Sequence, residues 1–130
     1  MPLRQPIQNY MSELPHSIGR DIPVEKARDM MLKHRCHHLP VLDGGALVGV
    51  VSDRDLNFIV DRDARKDIPV EEVMTPEPLI VDPSTPLSEV ASAMLEKHYG
   101  SAIVRAAPGK NWGIFTVSDA LRVIVSMASE

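Results

Sequence analysis

The sequence predicts an α+β fold: two similar units, each a small sheet flanked by helices. The first reason is an internal repeat. Displacing the chain by 63 residues lays Met11 on Met74, Pro15 on Pro78, Pro23 on Pro86, Met31 on Met94, Leu32 on Leu95 and Val41 on Val104. One further loop residue then lays Gly49 on Gly113 and Asp55 on Asp119. A repeat of this length means like units packing on each other. The second reason is that strand and helix signals alternate within each copy, as sheets covered by helices require. The third is size. The 130 residues make halves of about 60 each, at which a lone core is marginal, so the halves are expected to fold as one body.

In the first copy, His16–Ile18 reads as a short extended piece. Val24, Ala27, Met30, Met31 and His34 recur at helical spacing, and Pro23 stands where a first helical residue tolerates a missing N–H. Leu39–Leu42 is an apolar strand, Asp43-Gly44-Gly45 a hairpin turn that accepts positive φ, and Leu47–Ser52 the next strand. A helix is expected from about Ser52 to Asp61, with Leu56, Ile59 and Val60 apolar. The charged stretch Asp61–Ile68 reads as a linker, and Pro69–Met74 as a helical turn into the second copy. There, Leu79–Val81 is extended. Thr85-Pro86 opens a helix with Leu87, Val90, Ala91, Met94 and Leu95 on its apolar face. Ser101–Val104 and Trp112–Thr116 are strands about a Pro108-Gly109 turn. A final helix carries Leu121, Ile124, Val125 and Ala128.

Composition narrows the function classes. Apolar stretches run only a few residues, so no membrane span is expected. The first six residues lack the apolar core of a signal peptide. The lone cysteine, Cys36, allows no internal disulfide and fits a reducing, cytoplasmic setting. A net charge of −4 argues against nucleic acid as a partner. Residues 1–65 balance nine Lys/Arg against nine Asp/Glu, whereas residues 66–130 hold five against nine. That imbalance reads either as ordinary surface variation or as cations offered by the first copy to an anionic ligand.

Each copy closes on the pattern Gly-apolar-apolar-Ser/Thr-x-x-Asp: Gly49 to Asp55 and Gly113 to Asp119. A hydroxyl with a carboxylate three residues on makes a helix capping box, or nearly one, since Asp is shorter than the usual Glu. The same groups suit a nucleotide. Free N–H groups at a helix start attract phosphate, and a carboxylate there accepts hydrogen bonds from vicinal ribose hydroxyls.

The ordered set of motifs resembles a tandem pair of CBS domains, the cystathionine β-synthase module, over about residues 7–128. The carrying residues are Tyr10-Met11-Ser12 and Val73-Met74-Thr75 at the start of each unit, Ile22-Pro23-Val24 and Thr85-Pro86-Leu87 at the first helices, His37-His38-Leu39-Pro40-Val41, and the two closing motifs. The resemblance implies two βαββα units, residues 7–62 and 69–128, about a pseudo-two-fold axis. It implies an adenosine-containing ligand (AMP, ATP, NAD or S-adenosylmethionine), regulation of an attached or separate enzyme or transporter, and no catalysis. It further implies crossed pockets, one joining Thr116 and Asp119 to His16, Cys36, His37 and His38, the other joining Ser52 and Asp55 to Leu79, Tyr99, Gly100 and Ser101. The chain departs from the family in unit two, where Ser101-Ala102-Ile103-Val104 lacks the Leu-Pro-Val of unit one, and at His38, where phosphate binders often carry Arg.

Other readings stand beside this one. Arg54, inside the first motif, suits phosphate by its fork or is an exposed first-turn residue. His34, Cys36, His37 and His38 suggest zinc, but no second ligand pair stands at finger spacing, so no metal is expected. No nucleophile–base set or phosphate loop marks an enzyme. Met30, Met31, Met94 and Met127 read as core or interface, and with a small core they suggest a homodimer. The alternative to a ligand sensor is a structural dimerisation module with unoccupied pockets.

Overall fold

The computed structural model describes residues 2–59, 61 and 63–129. Its four helices and two small mixed sheets give the α+β class that the repeat predicts. The chain forms two compact units, a continuous one (His16–Glu77) and a composite one that joins Met1–Pro15 to Pro78–Glu130.

The continuous unit holds β2 (Ile18–Gly19), α1 (Val24–His34), β3 (His38–Asp43), β4 (Ala46–Ser52), α2 (Asp53–Asn57) and β5 (Thr75–Pro76). Its sheet order is β2-β3-β4-β5. β2 and β3 run parallel, with Ile18 opposite Val41, and α1 supplies the crossover that parallel neighbours need. The β3–β4 hairpin turns at Gly44 and Gly45, both at positive φ. The composite unit repeats this plan with β1 (Ser12–Leu14), β6 (Ile80–Val81), α3 (Leu87–Lys97), β7 (Ser101–Val104), β8 (Trp112–Thr116) and α4 (Val117–Met127), in sheet order β1-β8-β7-β6.

The leading strands are exchanged between repeats. β1, from the first repeat, pairs antiparallel with β8, Ser12 opposite Ile114 and Leu14 opposite Trp112. β5, from the second repeat, pairs with β4, Gly49 opposite Pro76. One contact explains two motif positions at once. A Cβ built on Gly113 would run into Met11 Sδ, and one on Gly49 into Met74 Sδ and, at 2.8 Å, the Thr75 carbonyl. Each motif glycine is bare because the methionine just ahead of the exchanged strand lies on it.

α1 and α3 both begin just after a proline, so α1 starts one residue later than expected. Pro23 and Pro86 are N-caps in extended backbone, with no side-chain cap. The first free N–H groups are taken by segments distant in the chain instead: Val24 donates to Ile68 O (2.8 Å) and Leu87 to Gln5 O (2.9 Å). α2 ends at Asn57 rather than running to Asp61. Past its end, Arg65 takes the Ile59 carbonyl with Nε (3.2 Å) and Nη2 (2.8 Å). Val60, read as part of this helix, and Arg62 of the linker lie outside the described residues.

Each unit has its own core. Val24, Ala27, Met31, Leu39, Val41, Val51 and Leu56 are buried in the continuous unit, and Leu87, Val90, Met94, Val104, Phe115 and Val123 in the composite one. Met31 and Met94 are thus core residues, while Met30 and Met127 are partly buried against the cores. The free apolar surface lies elsewhere. α4 buries Asp119 and Val123 and packs Ala120 and Met127, leaving Val117, Leu121, Ile124 and Val125 exposed. Beside it, Leu95 and Val117 border an apolar groove of about 240 Å³ floored by Met94 and Phe115. No helix among the described residues is long and apolar enough to cross a membrane.

Candidate functional site

Each strand-to-helix junction carries the hydroxyl–carboxylate pair as a complete reciprocal clamp. At β8–α4, Thr116 N–H donates to Asp119 Oδ2 (2.9 Å) and Asp119 N–H donates to Thr116 Oγ1 (3.2 Å). The Thr116 hydroxyl also donates to Asp119 Oδ2 (3.1 Å). At β4–α2, Ser52 N–H donates to Asp55 Oδ2 (2.8 Å) and Asp55 N–H to Ser52 Oγ (3.2 Å). The shorter Asp therefore closes a full capping box in both repeats.

The two clamps differ in what surrounds the carboxylate. Asp119 is buried (8% exposed), and its second oxygen accepts from Arg122 Nη1 at 2.7 Å. The Arg122 side chain is itself largely solvent-exposed, so it can move away from a carboxylate that stays fixed. Asp55 is half-buried, and the residue matching Arg122 in its repeat is Phe58, exposed to 81%. A carboxylate oxygen has lone pairs for more than one donor, so a clamped Asp can still accept ribose hydroxyls.

The other predicted residues fall into distinct settings. His37, exposed just before β3, has Nδ1 2.8 Å from Asp53 Oδ2. His38 starts β3 opposite Ser52, and Ser101 starts β7 opposite Thr116. The Gly100 carbonyl accepts from Val117 N–H at 3.3 Å, as the His37 carbonyl accepts from Asp53 N–H at 3.0 Å. Within the continuous unit, then, the β3 start brings His37 and His38 beside Ser52. Within the composite unit, the β7 start brings Gly100 and Ser101 beside Thr116. Cys36 follows the left-handed Arg35 that ends α1, and burial pushes its thiol pKa up, which suits packing better than nucleophilic chemistry. Leu79 is buried in the composite core, Tyr99 lines the apolar groove of that unit, and Arg54 is exposed in the first turn of α2.

His16 stacks on His34, ring centroids 3.6 Å apart and planes 17° from parallel. Desolvation, then the charges of His16 and Lys33, hold the His34 pKa below its ordinary value. The sequence showed no sign of this stack, because the two rings are 18 residues apart and on different elements. Arg122 and Asp53 were also missed. Arg122 is readable at i+3 from Asp119 on one helix, and Asp53 only through the hairpin that brings it to His37. No three His, Cys, Asp or Glu among the described residues are placed to hold a metal ion.

Comparison with known proteins agrees with this construction. The CBS domain family model matches residues 7–61 and 70–126. Inosine-5'-monophosphate dehydrogenase of Staphylococcus aureus is 31% identical over 120 residues, 90% of this chain but 24% of the enzyme, so the chain spans about a quarter of that relative. An uncharacterised conserved protein from Pyrococcus horikoshii is 31% identical over 95% of this chain and 94% of its own, with a TM-score of 0.74. The CBS-pair protein CBSX2 from Arabidopsis thaliana is 28% identical over 97% and 98%, TM-score 0.72. A structure of CBSX2 in complex with AMP matches at 29% identity over 95% and 99%, TM-score 0.71. Two family matches, one on each repeat, together with neighbours alike over nearly their whole length, place the chain in the CBS domain family as a tandem pair.

Proposed function

We propose that this CBS pair is a regulatory module whose ligand contains adenosine, with AMP the first candidate. The observation that carries the reading is the preformed Thr116–Asp119 clamp, a buried carboxylate fixed where a helix begins. CBSX2, 29% identical over 95% of this chain, has been captured with AMP, which supports the same ligand class here. In this reading Asp119 and Asp55 accept ribose hydroxyls, and Thr116 and Ser52 hold those carboxylates in place. The resemblance adds His16, Cys36, His37 and His38 to the ligand of Asp119, and Leu79, Tyr99, Gly100 and Ser101 to that of Asp55. Arg54 is assigned to phosphate. None of these residues is asked to make or break a covalent bond.

The module is further proposed to act as a homodimer, on the apolar face that α4 leaves exposed. The regulated partner would be a separate enzyme or transporter, or one fused to it, as the enzyme relative of four times this matched length suggests. A thermal-shift panel of AMP, ATP, NAD and S-adenosylmethionine tests the ligand class. A ligand at 100 times its Kd adds about 2.7 kcal/mol of stability. No shift with any of the four at millimolar concentration would reject the sensor reading in favour of a purely structural module.

A further inference from the structure

We propose that Asp53 is a positioning residue for ligand phosphate: it holds the His37 ring by Nδ1 and so presents Nε2 outward to an anion. This rests on the adenosine-ligand reading above. A carboxylate can only accept, so the 2.8 Å contact with Asp53 Oδ2 makes Nδ1 the protonated nitrogen. Nε2 is then the atom left to face a ligand, an acceptor on the neutral ring and a charged donor on the protonated one. The side chains are 76% and 53% exposed, and ion pairs so exposed contribute little to stability. Holding the fold together is therefore a poor account of the pair.

The second repeat provides the control. Val117 N–H bonds to Gly100 O just as Asp53 N–H bonds to His37 O, so the backbone frame is common to both repeats. Gly100 and Val117 have no side chains that could make the pair. The frame stands without the dyad, which the described Gly100 and Val117 of the second repeat cannot form. Other charges near it are Arg54 and Asp55 on α2, His38 on β3, and Arg28 on α1, which lines the same hollow as Asp53.

The test measures AMP and adenosine binding to the full chain by calorimetry at pH 6 and pH 8, for wild type, Asp53→Asn and His37→Gln. The two ligands differ by the phosphate alone, and its own protonation near pH 6 is common to all three proteins. The expected result is that Asp53→Asn lowers the AMP-to-adenosine preference at least threefold at pH 6, leaving adenosine affinity unchanged. His37→Gln should lower the AMP-to-adenosine preference to a similar extent, since it removes the ring that Asp53 holds. In long-range ¹⁵N–¹H spectra without ligand, neutral His37 should carry its proton on Nδ1 in wild type and shift toward Nε2 in Asp53→Asn. If wild type binds both ligands and Asp53→Asn keeps the wild-type preference, or loses both ligands equally, the positioning role is overturned and the adenosine reading stands. If wild type binds neither ligand, the positioning role is overturned, and the four-ligand thermal-shift panel decides the adenosine reading.

Discussion

Replacing Gly49 by Ala probes the contact that joins the exchanged strand to the motif. The added methyl meets Met74 Sδ and Cγ (2.9 Å), which can rotate, and the Thr75 carbonyl at 2.8 Å, which belongs to β5 and cannot move without disturbing its pairing to β4. At Gly113 the obstacles are Met11 atoms alone, with Cε at 3.1 Å and Cγ at 3.2 Å. Over-packing costs about 1–3 kcal/mol, and the lower chain entropy of Ala returns about 0.4–1 kcal/mol where the backbone suits it. Gly113→Ala should therefore cost about 1 kcal/mol or less, since one flexible side chain gives way. Gly49→Ala should cost about 2 kcal/mol, since backbone must move as well. Urea unfolding followed by circular dichroism reads this as a lower midpoint at unchanged slope. Adding Met11→Ala to Gly113→Ala should destabilise less than the sum of the single changes, whereas Met74→Ala should relieve Gly49→Ala only in part. Gly49→Ala as stable as wild type, or less damaging than Gly113→Ala, would refute the reasoning.

Asp119→Asn should lower stability by about 1–2 kcal/mol, the range of a lost cap, and, if Asp119 grips ribose, weaken AMP binding at least tenfold by calorimetry. Arg122→Ala frees one oxygen of that carboxylate; AMP affinity measured on this variant should be kept or raised, and a tenfold loss would make Arg122 a ligand residue instead. Because the folded-state pKa of His34 is lowered, the unfolded chain binds the proton more readily. Its contribution to stability is therefore intact above pH 6.5 and falls as pH drops through the lowered folded value. His34→Gln should flatten the acid side of a plot of melting temperature against pH. Arg35 and His98 end their helices in left-handed backbone that suits glycine, so Arg35→Gly and His98→Gly should each raise the urea midpoint, by about 0.5–1 kcal/mol in stability.

Local patterns reached much of this fold. Val24, Ala27 and Met31 sit on the buried side of α1 because the 3.6-residue period is a direct image of one helix face. Asp43-Gly44-Gly45 fixed the hairpin because few residues tolerate its positive φ. Long-range events were not legible. β1 is only Ser-Glu-Leu, and its strand character comes from β8, about a hundred residues away. α2 stops at Asn57, and the Ile59 carbonyl beyond it goes to Arg65, a partner that the local pattern does not show. Along α4 the apolar arc is wide and only one edge of it is buried, so periodicity could not say that Val123 is buried while Ile124 and Val125 are exposed. The clamps were legible because a capping box is written within four residues. The His16–His34 stack and the His37–Asp53 pair were not, because each joins elements that only the fold brings together.

The most direct test of the central claim is AMP titrated by calorimetry into wild type and into the double variant Asp55→Asn/Asp119→Asn, each with its fold verified by circular dichroism. Saturable binding to wild type, weakened at least a hundredfold in the folded double variant, is the predicted result. AMP binding that the double variant retains at wild-type strength would contradict it.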